Sequence, residues 1–175
     1  MKRKSINPNI LGFVFVSIIG TVNHFVFEWS NESVIAGIFT PINESSWEHL
    51  KLIFFPYLVF SIIQYSFFGK SKSLAFSKAI GVTVGMATIL AIFYTYSGIV
   101  GKNIDTINIL SFFIGVSVAF LVDSKMQKSS TFDDLYYNVI GISLFVLLTI
   151  MFILFTFAPP LIPLFKDPIS DTYGI

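Results

Sequence analysis

Long apolar runs alternate with short polar connections along this chain. The runs cover residues 9–27, 50–68, 75–100, 104–122 and 135–157. At 1.5 Å per residue, about 20 apolar residues cross a hydrocarbon core of about 30 Å, so each run predicts a transmembrane helix. The first run follows Lys2, Arg3 and Lys4, as the core of a signal peptide would. It is too long for such a core and no small-x-small cleavage site follows it, so an uncleaved first span is expected. Residues 34–42 (V-I-A-G-I-F-T-P-I) are apolar but too few to span, which predicts a re-entrant or interfacial piece between the first two helices. The expectation is therefore an all-α integral membrane bundle of about five helices, forming one domain over residues 1–175.

Residues 158–175 break the pattern. Pro159, Pro160, Pro163 and Pro168 exclude a helix there, while Leu161, Ile162, Leu164 and Phe165 disfavour a free strand in water. A lid folded back over the end of the bundle is expected, bringing Asp167 or Tyr173 towards the polar residues described below.

Composition agrees with lipid as the solvent. Only 12% of the 175 residues are charged and 54% are hydrophobic, against about a quarter charged in soluble domains. The 21 phenylalanines exceed what a small soluble core hides, so membrane lipid is the first expected partner. A net charge of +1 leaves no basic face for nucleic acid, and the absence of Cys removes disulfides, thiolate metal sites and cysteine nucleophiles. No Gly-rich phosphate loop follows a strand, which sets nucleotide chemistry aside.

Lysine and arginine placement orients the bundle. With the N-terminus inside, Lys2, Arg3, Lys4, Lys70, Lys72, Lys78, Lys125 and Lys128 are cytoplasmic, and only Lys51, Lys102 and Lys166 lie outside. This predicts an N-in, C-out, multi-pass membrane protein. Glu28, Glu32, Glu44, Glu48, Asp105, Asp167 and Asp171 then make the outer rim anionic, and Asp123 reads as an interfacial cap at the inner end of its helix. Small residues repeat every four positions at Ser77, Gly81 and Gly85 and again at Ser111, Gly115 and Ala119. Such stripes let helix backbones approach closely in lipid. Pro56 is expected to kink the second span. Tyr136 and Tyr137 suit the inner aromatic belt, Trp29 the outer one, and Trp47 either the belt or the polar motif around it.

Two polar patches stand out. Ser17, Gly20, Thr21, His24 and Glu28 share one stripe of the first helix, and a His/Glu pair in a span is costly unless it faces protein or water. Downstream, T-P-I-N-E-S-S-W-E-H-L-K (40–51) holds Glu44, Glu48 and His49. Ser45 to Glu48 fits a capping box, with Glu48 reaching back to the Ser45 N–H. The topology places His24, Glu28, Glu44, Glu48 and His49 on one side of the membrane, where together they form a candidate site for a divalent metal such as Zn²⁺. Glu48 or Glu44 is the candidate general base for a metal-activated water. Asn43, Trp47, Lys51 and Asp167 are candidate supporting residues. Glu48 and His49 are about 100° apart on a regular helix, so both reach one ion only if the helix start is irregular.

The motifs H-F-V-F-E-W (24–29), P-I-N-E-S-S-W-E-H-L-K (41–51) and the ending P-L-F-K-D-P…Y-G-I (163–175) resemble a family of small bacterial integral membrane proteins known only as a domain of unknown function. The resemblance covers essentially the whole chain. It implies a polytopic membrane protein and supplies no activity, substrate or cofactor. Three functions use the polar residues: a membrane-embedded metal-binding protein acting as a hydrolase, a proton- or ion-linked carrier, and an accessory subunit holding a membrane-protein partner or a second copy of the chain.

Overall fold

The computed structural model describes residues 7–68 and 73–174. Within them the fold is all-helical, with no strand beyond a single bridge between Lys166 and Tyr173. Five helices are long and apolar enough to cross a membrane: α1 (Pro8–Trp29), a span formed by α3 (Ser46–His49) running into α4 (Lys51–Phe67), α5 (Leu74–Val100), α6 (Asp105–Gln127) and α7 (Leu135–Phe157). The short α2 (Val34–Phe39) lies between α1 and α3. It leans on the bundle through Phe39, whose ring meets Phe55 edge-on at 5.2 Å. Lys2, Arg3, Lys4, Lys70 and Lys72, on which the orientation partly rests, lie outside the described residues.

Close backbone approach holds α5 to α6. A Cβ on Gly85 would lie 2.7 Å from the Gly115 carbonyl oxygen, and the Ala119 carbonyl oxygen stands equally close to Gly81. The two small-residue stripes therefore face each other, which is how helices associate where apolar side chains have no preference for protein over lipid. The other aromatic and aliphatic contacts centre on α4, whose Ile53, Phe54, Tyr57 and Phe60 are all but fully buried. The helix runs through Pro56 without ending.

Three expectations are corrected here. Asp123 is not an interfacial cap: it is fully buried and pairs with Lys78 at 2.6 Å across α5 and α6. The Lys78 ammonium also sits 4.7–5.3 Å from the rings of Tyr57, Phe60 and Phe120, so aromatic faces help replace its water. Lys51 is likewise fully buried rather than a rim charge. Lys51 and Lys78 are thus both interior groups. Trp47 belongs to the core and not to a belt, packed against Phe152, Phe155 and Phe165. Trp29, by contrast, is exposed and stacks on Phe25.

The chain's course puts the end of α1, α2, α3, the α5–α6 connection and the C-terminal tail at one end of the bundle. The tail doubles back over that end. Phe165, on a single 3-10 turn (Pro163–Phe165), inserts beside Trp47, and Gly174 at φ 63° turns the chain against Pro159 and Thr156.

Candidate metal centre

Local chemistry shapes the segment that carries most of the site. Asn43 Oδ1 accepts the Ser45 N–H at 3.0 Å, and Ser45 Oγ accepts the Glu48 N–H at 3.3 Å, which starts α3. Only half of the expected capping box forms. The Glu48 carboxylate turns away from the Ser45 N–H, accepting instead from the Ile42 N–H at 3.1 Å and from Lys51 Nζ at 2.6 Å. The roughly 100° between adjacent helix positions is the cause: Glu48 points inward while His49 points towards α1.

His24 comes from α1. Gly20, one turn earlier, brings α1 so close to α4 that a Cβ there would lie 2.4 Å from the Leu52 carbonyl oxygen. This approach sets the two imidazoles face to edge, with His24 Nε2 3.2 Å from His49 Nε2. Glu44 completes the group, its carboxylate 3.3 Å from His49 Nε2 and 3.9 Å from His24 Nε2. One ligand atom from each of the three residues fits within 4.8 Å of the others.

The geometry suits a small ion. A tetrahedral zinc with Zn–N bonds of about 2.0–2.1 Å sets neighbouring ligand atoms about 3.3 Å apart. The His24–His49 and His49–Glu44 separations match that edge, while the His24–Glu44 approach, through the other carboxylate oxygen, is longer at 3.9 Å. His49 Nδ1 lies 3.0 Å from the Ser45 carbonyl oxygen, an acceptor, so Nδ1 carries a proton and Nε2 is the nitrogen turned to the site. Contact with His49 holds the Glu44 carboxyl below its ordinary value of 4.5, against the burial that raises it, so Glu44 is ionised near neutrality. All three side chains are part-exposed, leaving a route for an ion from water.

Two sequence-derived ligands stand apart. Glu28 is exposed and outside the group, because the helix stripe carries it past the end of the bundle. Glu48 Oε2 is bound by Lys51 Nζ and the Ile42 amide, and the residue lies outside the three-residue group. Among the supporting residues, Asn43 shapes the turn before α3, Trp47 anchors it from behind, and Lys51 holds Glu48. Asp167 lies beside the Glu44 main chain. Burial raises the Asp167 carboxyl, but hydrogen bonds from the Ser170 hydroxyl and the Ile169 N–H outweigh it and hold the group below its ordinary value.

Sequence reading did not anticipate the second wall of the site. A cavity of about 100 Å³ adjoins Glu44 and His49, closed opposite them by Asn103, Asp105 and Asn108 and floored by Ile89 and Phe112. Tyr96 Oη braces this wall by hydrogen bonding to both Asn103 and Asn108. The signal available was the polar spacing N-I-D-T-I-N (103–108) at the start of a span, which read only as a rim.

Fold and site together define a membrane-type helical bundle carrying a His–Glu–His cluster at one end. The chain belongs to the DUF6512 family, a family of unknown function whose model matches residues 2–175. No curated protein and no solved structure matches it.

Proposed function

We propose that this is a multi-pass membrane protein that binds a divalent metal, Zn²⁺ or an ion of similar preference, through His24, Glu44 and His49, and that it acts as a metal-dependent hydrolase. The observation that carries this is the meeting of His24, Glu44 and His49, with one ligand atom from each within 4.8 Å of the others. Three protein ligands leave at least one position open, the pattern of catalytic rather than structural zinc sites. The adjoining cavity has room for about three waters at roughly 30 Å³ each, with polar partners on two walls. A bound metal would supply an activated water there. Asp105, on the far wall, takes over from Glu48 as the candidate proton acceptor. The lysine distribution supports an extracytoplasmic position for this end of the bundle, in a bacterial membrane.

Cobalt substitution tests the reading. Co²⁺ added to purified protein should give the intense visible bands of a low-coordinate N/O site, and acetohydroxamate, which ligates open metal positions, should shift them. A spectrum identical to Co²⁺ in buffer would contradict it.

One observation favours a proton- or ion-linked carrier instead. The Lys78–Asp123 pair places charge inside the other half of the bundle, as relays in transporters do. Proteoliposomes whose internal pH responds to an imposed metal gradient would favour that reading over hydrolysis.

A further inference from the structure

Two of the three ligand residues are flanked by groups that belong to α7 and the tail. Lys51 Nζ, fully buried, donates to Glu48 Oε2 at 2.6 Å, to the Gly37 carbonyl at 2.7 Å and to Thr156 Oγ1 on α7 at 2.7 Å. It thereby fixes the flank of His49 to α2 and to the last turn of α7. Thr156 Oγ1 in turn donates to the Phe152 carbonyl, which leaves its lone pair aimed at the ammonium. On the other flank, the Asp167 carboxylate lies beside the Glu44 main chain. Asp167 is presented by a tight loop of the tail, closed by its own N–H to the Thr172 carbonyl at 2.9 Å and by the Ile169 N–H on its carboxylate at 3.0 Å. Between these two flanks, the Phe165 ring lies 5.0 Å from that of Trp47.

We infer that Thr156 and Asp167 are positioning residues of the metal centre, acting through Lys51 and the Glu44 main chain, so that metal binding and docking of the tail are one coupled equilibrium. This rests on the metal-binding reading above. Neither residue touches the ion. Each fixes a segment whose displacement by an ångström would open the ligand spacing. Coupling of binding equilibria is reciprocal: if a docked tail tightens the site, an occupied site tightens the tail.

The test uses the full chain in mild detergent, with zinc affinity from competition against a fluorescent chelator. Thr156→Val keeps the shape and removes the acceptor, and Thr156→Ser restores it. The expected result is a roughly tenfold weaker zinc Kd for Thr156→Val, near-native affinity for Thr156→Ser, and a loss of at least tenfold for Asp167→Ala, the usual scale for outer partners of metal ligands. Hydrogen exchange of wild-type residues 159–174 should slow when zinc is added. Unchanged Kd in Thr156→Val and Asp167→Ala, even with a lower melting temperature, would overturn the inference and leave a purely structural tie. Zinc binding absent from the wild type would instead overturn the metal reading itself, and this inference with it.

Discussion

His24 Nε2 and His49 Nε2 face each other at 3.2 Å, although 25 residues and two connections separate them in the chain. Two neutral imidazoles make this contact only if one donates its proton to the other or both ligate a third atom. His49 carries a proton on Nδ1, directed at the Ser45 carbonyl, so in the neutral ring its Nε2 is an acceptor. His24 either supplies the proton or shares an ion. Both alternatives depend on the close approach of α1 to α4 at Gly20.

The buried Glu48–Lys51 pair gives a stability prediction. Lys51→Met leaves the Glu48 carboxylate uncompensated, which should cost about 3–5 kcal/mol. Adding Glu48→Gln should recover part of that loss, because the stranded charge disappears. Melting temperatures in one detergent check it. A Lys51→Met protein as stable as the wild type would show that the pair does not hold the segment.

Packing along the small-residue stripes gives another. With the Gly115 carbonyl 2.7 Å from a Cβ at Gly85, Gly85→Val must force α5 and α6 apart. The expected cost is about 1–3 kcal/mol, the range for overpacking a dense interior. Gly98→Ala is the control, since nothing lies within 4 Å of that position. Equal melting temperatures for both variants would contradict the packing described.

Acid should release the metal through the imidazoles. Ligation needs neutral His24 and His49 and ionised Glu44. The Glu44 carboxyl is held below its ordinary value, so any stability it contributes is present above the unfolded-state value and lost only as pH falls through the lower folded one. Each imidazole that must lose a proton adds about one order of magnitude per pH unit, so zinc affinity should fall by one to two orders of magnitude per pH unit once the solution is acid enough to protonate them. Chelator competition at several pH values checks this, and an affinity flat down to the carboxylate range would exclude imidazole ligands.

Much of the architecture was legible because an apolar run of about 20 residues has few structural options. The facing stripes of Ser77, Gly81, Gly85 and Ser111, Gly115, Ala119 were legible for the same reason: four-residue spacing maps directly onto one helix face. His24, Glu44 and His49 were among the residues singled out, but which of five polar candidates meet depends on rotation about helix axes that no local pattern encodes. Glu28 and Glu48 illustrate this, one carried past the bundle and the other turned inward. The roles of Lys51, Lys78 and Asp123 were hidden for a different reason. Their partners sit on other helices, Thr156 being 105 residues from Lys51, and a lone charge near a helix end reads as an interfacial one. The cavity wall at Asn103, Asp105 and Asn108 was missed because short polar residues at the start of a span look the same whether they face water or a neighbour.

Metal stoichiometry tests the central claim most directly. Elemental analysis of protein purified in mild detergent, loaded with zinc and passed through a desalting column, should return one zinc per chain. Glu28→Gln should retain it, while the His24→Ala and His49→Ala proteins, each still folded, should return close to none. A wild-type protein without zinc under every loading condition, or one whose zinc survives loss of both imidazoles, would contradict the account.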